Sequence, residues 1–251
     1  MRRARLPLLR LLRIILGLRA RQLDLAPGPL LIIAPHPDDE VLGCGGLMAR
    51  SLRSGQDVSV LFLTDGGASH PGHPDLDAAT LAHQRRREAR EAAAVLGLSA
   101  DKLVFFDFPD GALPHLSAAI RADAVQRIAA HLRSVRPATI FAAYRHDGSS
   151  EHEAAFRLVA AAIKTAGTSV RLLEYLVWTA YSPRLLARMI SARGLLLRSC
   201  HPGLGPTKAR ALSAYRSQFL PTPPWNDAVQ PSDFANAFSP ETEFFIELAV
   251  P

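Results

Sequence analysis

The sequence predicts an α/β fold of the Rossmann-like type, with a mainly parallel sheet covered by helices on both faces. Short apolar segments alternate along the chain with longer segments of helical periodicity, which is the pattern of successive β-α-β units. The first apolar segment, residues 30–34, is apolar at every position, as expected of a parallel strand that is buried on both faces. Both observations favour a sheet whose strands mostly run in the same direction.

The elements follow in order along the chain. Strands are predicted at residues 30–34, 58–63, 103–106, 139–143, 172–178 and 243–250. Helices are predicted at residues 40–52, 77–96, 117–133, 151–165 and 207–218. Glu40 lies in the first turn of its helix, where the helix dipole favours a carboxylate, and Gly97 is the stop signal of the next helix. Residues 68–74 and 219–241 are rich in proline or glycine and are predicted to be irregular.

The length and composition fit one globular unit. The chain has 251 residues, 48% of them hydrophobic, which is enough for one sizeable core. We therefore predict a single domain over 27–251, preceded by a basic amphipathic segment over 1–26. Two cysteines, Cys44 and Cys200, cannot form a disulfide framework, so a reduced, cytoplasmic setting is expected. A single bridge between these two cysteines remains an open alternative.

The basic charge of the chain is concentrated at its start. The formal net charge is +6, but residues 1–21 contain seven arginines and no acidic residue. The remaining residues, 22–251, therefore carry a net charge of only −1. A near-neutral body lacks the basic face that nucleic-acid binding requires, so a nucleic-acid partner is not expected.

The N-terminal arginines alternate with aliphatic residues at helical spacing, at Leu8, Leu11, Leu12, Ile15 and Leu18. The longest apolar run, residues 14–18, is far too short to span a membrane, and arginines interrupt any signal-peptide core. Two interpretations remain for residues 1–21. The segment is either a helix packed on the domain or a basic helix in peripheral contact with an anionic membrane surface. The sequence makes no prediction of oligomeric state.

Four predicted strands end in polar turns that contain glycine. These turns are residues 36–43, 64–67, 107–111 and 145–152. In a parallel sheet they all open on one edge, which is where α/β proteins bind ligands. The sequence therefore predicts a catalytic pocket assembled from separate segments at this edge.

The first of these turns carries residue types that bind metals. His36 and Asp39 are three residues apart and can converge on one point, and both are good zinc ligands. A catalytic zinc takes three protein ligands, and His152 is the best candidate for the third. Two histidines and one carboxylate also suit non-haem iron, so the residues do not separate Zn²⁺ from Fe²⁺ or another divalent ion. Alternatively, the His-Pro-Asp-Asp-Glu string is an ordinary turn with a helix-capping acid.

Asp38 lies beside the proposed ligands and is not needed as one. A bound divalent metal lowers the pKa of a water molecule toward about 7, and a free carboxylate nearby can take the proton that this water releases. This combination suits hydrolysis of an amide or an ester.

The string Pro35-His36-Pro37-Asp38-Asp39-Glu40, followed by residues 43–46 (Gly-Cys-Gly-Gly), resembles the signature of the PIG-L/LmbE-like de-N-acetylase family. Enzymes of this family use zinc to remove acetyl groups from N-acetylglucosaminyl conjugates and related amides. Weaker similarities follow in the family's order at residues 64–66, 85–97, 109–111, 208 and 215–218. The resemblance covers residues 29–219.

The resemblance implies a role for each matching residue. His36, Asp39 and His152 would bind zinc, and Asp38 would be the general base. The substrate side of the pocket would be lined by Arg85, Asp110, Thr64, Asp65 and Gly66. From the residues alone, Arg85 could equally lie on a solvated helix face and Asp110 could be a simple turn residue. The implied substrate is an N-acetylated amino-sugar conjugate.

One position departs from the family pattern. The third motif of the family reads His-x-x-His, and its first histidine stabilises the oxyanion or protonates the leaving amine. Ser149 occupies that first position here. Serine can donate a hydrogen bond but is not a proton donor near neutral pH. His146, three residues earlier, is either a substitute acid or a surface-loop histidine.

Three functions are therefore compatible with the sequence. The first is a zinc-dependent N-deacetylase that uses an activated water. The second is a catalytically weakened, metal-containing sugar-binding relative in which Ser149 replaces the acid. The third is a hydrolase of a non-sugar amide.

Overall fold

The computed structural model describes residues 5–190, 195–231, 233–238 and 241–247, and every statement below refers to these residues. Its strands are short, and all of them belong to one sheet. In chain order they are β1 (Arg21–Gln22), β2 (Leu30–Ala34), β3 (Val58–Thr64), β4 (Leu103–Phe108), β5 (Thr139–Ala143), β6 (Arg171–Tyr175), β7 (Leu195–Cys200) and β8 (Thr242–Glu247).

The α-helices connect these strands or cover them. They are α1 (Arg5–Arg19), α2 (Asp39–Arg53), α3 (Ala78–Leu96), α4 (Ala118–Val135), α5 (Ser150–Ala166), α6 (Trp178–Tyr181), α7 (Pro183–Ile190), α8 (Gly205–Ser213), α9 (Arg216–Phe219) and α10 (Phe234–Phe238). Two short 3₁₀ turns, Ala100–Lys102 and Leu113–His115, flank β4.

The sheet has the strand order β1-β7-β8-β6-β5-β2-β3-β4. Strand β8 runs antiparallel to both of its neighbours, and all other pairs are parallel. Helices cover both faces, so the predicted Rossmann-like α/β class is confirmed.

Strand β2 is buried on both faces, as its sequence predicts. Leu30, Ile32 and Ala34 face one core, which α2, α3 and α8 complete. Leu31 and Ile33 face a second core, formed with α4 and α5. Because side chains alternate along a strand, a segment between two cores must be apolar at every position.

The centre of the sheet is also its topological switch point. From β2 the chain continues to β3 on one side, whereas β5 lies on the other side of β2. Ligands bind in the crevice between such strands, beyond their carboxyl ends. The turn after β2 and the turn after β5 therefore meet at the crevice where a ligand-binding site is expected.

Several predicted boundaries are wrong in the C-terminal third. Trp178 begins helix α6 instead of ending a strand, because the Asp147 carboxylate accepts the N–H groups of Trp178 and Thr179. The predicted helix over 207–218 is two helices, since Tyr215 leaves helical geometry (φ −79°, ψ 59°) between α8 and α9. Part of the last predicted strand, 248–250, lies outside the described residues.

Several elements were not predicted, including strand β1 and the two 3₁₀ turns. Helix α7 and strand β7 lie in residues 179–206, for which no element is predicted, and α10 lies within the segment predicted to be irregular. Strand β7 is only partly buried, so it lacks the continuous apolar run that marks β2. Cys44 and Cys200 are both free thiols.

The N-terminal segment packs against the body of the protein. Helix α1 contacts α7, and its Leu9 and Leu16 are buried in a cluster with Leu186 and Met189. Strand β1 extends the sheet by pairing with β7. For the described part of this segment, residues 5–21, the structure corresponds to the first interpretation, a helix packed on the domain. Among the described residues, no helix combines the length and the apolar character needed to cross a bilayer.

Gly43 allows helix α2 to approach the sheet closely. A Cβ atom at this position would lie 2.1 Å from Cδ2 of Tyr175, a fully buried residue of β6. The Tyr175 hydroxyl donates to the carbonyl of Ile33 (3.2 Å), so the ring is held between the helix and β2. The close approach sets the position of the turn that starts α2.

We expect Gly43→Ala to lower the free energy of unfolding by about 1–3 kcal/mol, because the added methyl group overpacks a rigid contact with Tyr175. Chemical denaturation would measure the change. Gly17→Ala is the matched control, because the atoms nearest to a Cβ atom placed on that helical glycine would lie 4.0 Å away. Equal stability of Gly43→Ala and the wild-type protein would contradict the role given to this contact.

Candidate active site

The turn after β2 holds Asp38 in an unusual backbone conformation. Its φ is 136°, a region that non-glycine residues rarely adopt. Glu40 stabilises the turn, because its carboxylate accepts the N–H of Asp38 (3.0 Å) and the hydroxyl of Tyr215. Burial raises the pKa of Glu40 to about 8. Such strain is stored where the surrounding structure determines one geometry, which is common at functional sites.

Three predicted ligands converge beside this turn. Nδ1 of His36 lies 3.1 Å from Oδ2 of Asp39, and Nε2 of His152 lies 3.5 Å from the same oxygen. The candidate ligand atoms all lie within 4.8 Å of one another. Asp39 begins α2 and His152 lies in the first turn of α5, so the switch point brings the two turns together. The arrangement could hold one divalent ion.

Asp147 orients His152 from behind. Its Oδ2 lies 2.9 Å from Nδ1 of His152, and the carboxylate also accepts the N–H groups of Trp178 (2.8 Å) and Thr179 (2.7 Å). Because a carboxylate holds a proton on Nδ1, Nε2 is left free to face Asp39. Sequence reasoning missed Asp147. The available signal was an acid five residues before a proposed ligand, in the same strand-end turn.

His36 is held in the same way through its other nitrogen. Nε2 of His36 lies 2.5 Å from Oε2 of Glu151 and 3.2 Å from Oδ1 of Asp110. The second oxygen of Glu151 accepts the N–H of Leu113 (3.0 Å). Glu151 was also missed, because it reads as an ordinary acid in the first turn of a helix. Glu151, Asp110 and His36 form a second group whose spacing could hold a cation.

The charge balance of the site favours a cation. Burial alone would lower the pKa of His152, but Asp39 and Asp147 outweigh it and raise this pKa to about 9. Burial would likewise raise the pKa of Asp39, but His152 and His36 hold it well below its ordinary value. The carboxylates thus attract positive charge to the histidine nitrogens. A divalent ion bound there would satisfy the same carboxylates, so the donor set fits a metal.

Asp38 is buried next to an arginine. Its Oδ1 lies 3.3 Å from Nη2 of Arg85, and Arg85 also donates to the carbonyl of Pro37. Burial raises the pKa of Asp38 to about 7, and the Arg85 guanidinium opposes this rise. A carboxylate whose pKa lies near neutrality can both accept and release a proton, as a general base must.

Arg85 is 3% exposed, so it does not lie on a solvated helix face. The turn after β3 makes room for it. Gly66 has a positive φ of 69°, and a Cβ atom there would lie 2.8 Å from Nε of Arg85. The absence of a side chain at Gly66 therefore lets Arg85 reach Asp38.

Thr64 and Asp65 connect the strand-end turns to one another. The N–H and hydroxyl of Thr64 both donate to the carbonyl of Pro35 (2.9 and 2.8 Å). Oδ1 of Asp65 accepts the N–H groups of Asp110 (3.2 Å) and Gly67 (2.8 Å). Thr64, Asp65 and Gly66 do not line the cleft described next, so their contact with substrate stays a prediction.

An open cleft of about 290 Å³ leads to the candidate ligands. The candidate ligands and other polar side chains line it together with Val177 and Trp178, which form an apolar wall. Asp110 lines the cleft, with Oδ2 accepting the N–H of Ala68 (3.0 Å). Burial would raise the pKa of Asp110, but the hydrogen bond and the charge of His36 outweigh this effect and lower the pKa to about 2. Asp110 is therefore an anion at neutral pH. The cleft therefore combines an apolar surface with charged acceptors.

Ser149 lines the cleft and also caps helix α5. Its Oγ accepts the N–H of His152 at 3.4 Å, which leaves the hydroxyl hydrogen free to donate to a ligand. His146 is exposed, its ring packs edge-on against Tyr144 (5.6 Å between centroids), and it does not line the cleft. This position matches the surface-loop alternative, and the role of substitute acid for His146 stays a prediction.

His70 and His73 are part of loop packing near the cleft. The ring of His70 stacks on Trp225 (5.4 Å between centroids) and its Nε2 lies 3.1 Å from Oγ1 of Thr222. Nε2 of His73 lies 3.2 Å from the carbonyl of the same threonine. These contacts hold the loop over 68–74 against residues 222–225, at the edge of the cleft.

The model of the family described as PIG-L, GlcNAc-PI de-N-acetylase, matches residues 31–163. This chain belongs to the PIG-L family. The matched range contains every proposed ligand, Asp38 and the Ser149 position. The ligand roles themselves are inferences from geometry and resemblance.

Two relatives carry names that describe deacetylases. The diacetylchitobiose deacetylase of Thermococcus kodakarensis is 37% identical over 86 residues, which is 34% of this chain and 31% of that protein. The 1D-myo-inositol 2-acetamido-2-deoxy-alpha-D-glucopyranoside deacetylase of Rhodococcus erythropolis is 29% identical over 159 residues, 56% of this chain and 54% of that protein. The chain thus spans about half or less of the length of these relatives.

The fold also matches a solved structure. The N,N'-diacetylchitobiose deacetylase of Pyrococcus horikoshii, in complex with its inhibitor, superposes with a TM-score of 0.62. The match covers 83% of this chain and 77% of that chain at 22% identity. At this identity the likeness supports the shared fold.

We expect Asp147→Asn to weaken zinc binding about 10–100-fold, because His152 loses the carboxylate that fixes its ring and raises its basicity. Competition with a chromogenic chelator would measure the affinity. Glu153→Gln is the matched control, since Glu153 lies on the same helix but pairs with Arg157 at the exposed surface. Unchanged zinc affinity in Asp147→Asn would show that this carboxylate does not position a ligand.

Proposed function

We propose that this protein is a metal-dependent hydrolase that removes the acetyl group from an N-acetylated amino-sugar conjugate. One observation carries the proposal: two histidines and a carboxylate converge at the switch point with the buried carboxylate of Asp38 beside them. Membership of the PIG-L family supports it, as do the two relatives named for deacetylation of acetylated amino sugars. We further propose that residues 27–251 form one catalytic domain.

His36, Asp39 and His152 would hold the metal, with Zn²⁺ as the first choice and Fe²⁺ or another divalent ion also fitting. When bound, such an ion supplies Lewis acidity that polarises the acetyl carbonyl and makes a water molecule more acidic. Asp147 and Glu151 would keep the two imidazoles in the orientation that this requires.

Asp38 would perform the proton transfers. Its carboxylate accepts the proton of the attacking water and later returns a proton to the nitrogen of the leaving amine. Arg85 positions this carboxylate and favours its anionic form. Asp38 also lines the cleft, so its carboxylate is accessible to a substrate bound there.

Ser149 would donate its hydroxyl hydrogen to the oxygen that gains negative charge during attack. A neutral hydroxyl stabilises this charge less than a protonated histidine would, because it brings no positive charge. Trp178 offers an apolar surface to a sugar ring, and the Asp110 carboxylate can accept hydrogen bonds from sugar hydroxyls.

Purified protein should release acetate from N-acetylglucosamine conjugates, and Asp38→Asn should lower kcat by about 10²–10⁴-fold because the base is lost. Acetate release, measured with and without a chelator and after addition of Zn²⁺, tests the base and the metal separately. Asp123→Asn is the control for an exposed aspartate. Full activity of Asp38→Asn, or of protein freed of metal, would refute the mechanism.

We expect Ser149→His to raise kcat about 10-fold or more on the same substrate, because a protonated histidine there adds positive charge beside the developing oxyanion and can assist Asp38 in protonating the leaving amine. Loss of the cap on α5 would cost about 1 kcal/mol of stability, which thermal unfolding would detect separately. Ser149→Ala shares the loss of the cap and supplies no acid, so it is the matched control. A Ser149→His variant no faster than Ser149→Ala would show that Ser149 does not mark a missing acid.

A second candidate function follows from Ser149 as well. A protein that binds the sugar and holds the metal but turns over very slowly would be a weakened sugar-binding relative. In that case the wild-type protein binds the conjugate without releasing acetate, and Ser149→His restores release.

A further inference from the structure

Helix α1 presents aliphatic side chains on two opposite faces. Leu9 and Leu16 are buried against the body of the protein. On the opposite face, Leu11, Ile14 and Leu18 are 53%, 61% and 83% exposed. Their spacing of three and four residues places them in one stripe along the helix. Packing on the body therefore explains only half of the apolar character of this helix.

This stripe is where exposed aliphatic surface concentrates. Among the described residues, eight large hydrophobic side chains are exposed, and four of them, with Leu8 as the fourth, lie on α1. Leu195, at the start of β7, is a fifth on the same edge of the sheet. Contiguous exposed apolar surface is uncommon on a monomer and marks an interaction surface.

The edge that carries the stripe is strongly basic. It is built from α1, β1, α7 and β7. These four elements contain eight arginines and not one aspartate or glutamate. The other 220 residues of the chain contain 21 basic and 23 acidic side chains. The positive charge is therefore concentrated on these elements, whereas the rest of the chain is close to neutral.

The arginines flank the aliphatic stripe. Arg10 and Arg19 are exposed on α1, and Arg184 and Arg188 are exposed on the adjoining α7. The Arg19 guanidinium reaches the carbonyl of Ile190, which ties the ends of the two helices together. An aliphatic face bordered by arginines, with its helix in the plane of the surface, is the form of an interfacial membrane helix.

We propose that the edge formed by α1 and α7 docks on an anionic lipid bilayer, with the stripe of Leu11, Ile14 and Leu18 inserted between the headgroups. Anionic lipid complements both features, because acyl chains receive the leucines and headgroups receive the arginines. A second copy of this chain would bring two carboxylate-free edges together and is disfavoured by charge. Nucleic acid would satisfy the arginines and leave the aliphatic stripe without a partner.

Docking there would place the bilayer close to the cleft. Arg13, on α1, donates from Nη2 to the carbonyl of Ala180 in α6 (3.1 Å). Trp178, two residues earlier in the same four-residue helix, is part of the cleft wall. A single short helix thus joins the docking helix to the wall of the candidate active site.

The test uses the full chain and two kinds of vesicle, one of phosphatidylcholine alone and one of phosphatidylcholine mixed with phosphatidylglycerol. Co-sedimentation should show binding that is at least about tenfold tighter to the anionic vesicles and that weakens as salt is added. Equal binding to both vesicles, or binding to neither, would overturn the proposal.

The triple variant Leu11→Ser, Ile14→Ser, Leu18→Ser should bind the anionic vesicles at least about tenfold more weakly. Val95→Ser with Ile120→Ser is the matched control, because these residues are exposed aliphatics on α3 and α4. Arg10→Gln with Arg188→Gln should weaken binding by about fivefold per arginine, whereas Arg87→Gln, an exposed arginine on α3, should not. Wild-type binding by the triple variant would overturn the proposal.

A separate measurement does not depend on how the triple variant folds. Leu18→Trp should show a blue-shifted and enhanced fluorescence with anionic vesicles that the wild-type protein, with Trp178 and Trp225 alone, does not show. No shift would place the stripe outside the lipid and overturn the proposal. Concentration-dependent dimers that the triple variant abolishes, without vesicle binding by the wild-type protein, would assign the face to a second copy instead.

Discussion

The structure depends on keeping several carboxylates buried at the end of one strand. Asp38, Asp39, Glu40 and Asp147 are all nearly inaccessible to solvent, and each would cost several kcal/mol if it were charged without a partner. The elements around them supply those partners as histidine nitrogens, the Arg85 guanidinium, the Tyr215 hydroxyl and backbone N–H groups. The arrangement of the turns, of α8–α9 and of α6 follows from this requirement.

The same requirement explains how distant parts of the chain serve one site. Tyr215 lies far along the sequence from Glu40, yet its hydroxyl bonds to the carboxylate that stabilises the turn at Asp38. Asp147 orients His152 and at the same time starts helix α6, whose Trp178 forms the cleft wall. The positions of the candidate metal ligands, the position of Asp38 and the shape of the cleft are therefore set by one connected network.

Two residues of the site combine a structural contact with a place in the cleft. Ser149 caps the start of α5 by accepting the N–H of His152, so it fixes the position of this candidate ligand while it lines the cleft. The strained backbone of Asp38 costs about 1–3 kcal/mol. It is tolerated because Glu40 and Arg85 hold the turn on both sides. Both residues are therefore positioned by contacts that do not involve the candidate metal ligands His36 and Asp39 directly.

The fold class, the central strand β2 and the group of polar residues at its end follow from the sequence alone, because these features depend on local patterns. A strand apolar at every position, with a histidine and carboxylates directly after it, requires a doubly covered sheet and a polar site. The tertiary structure alone decided that Asp147 and Glu151 orient the histidines, that Arg85 lies beside Asp38, and that Thr64, Asp65 and His146 lie outside the cleft. It also decided that α1 buries one aliphatic face and exposes the other. These outcomes depend on contacts between segments far apart in the chain, and a carboxylate or a leucine looks the same in sequence whether its partner is a ligand, the core or solvent.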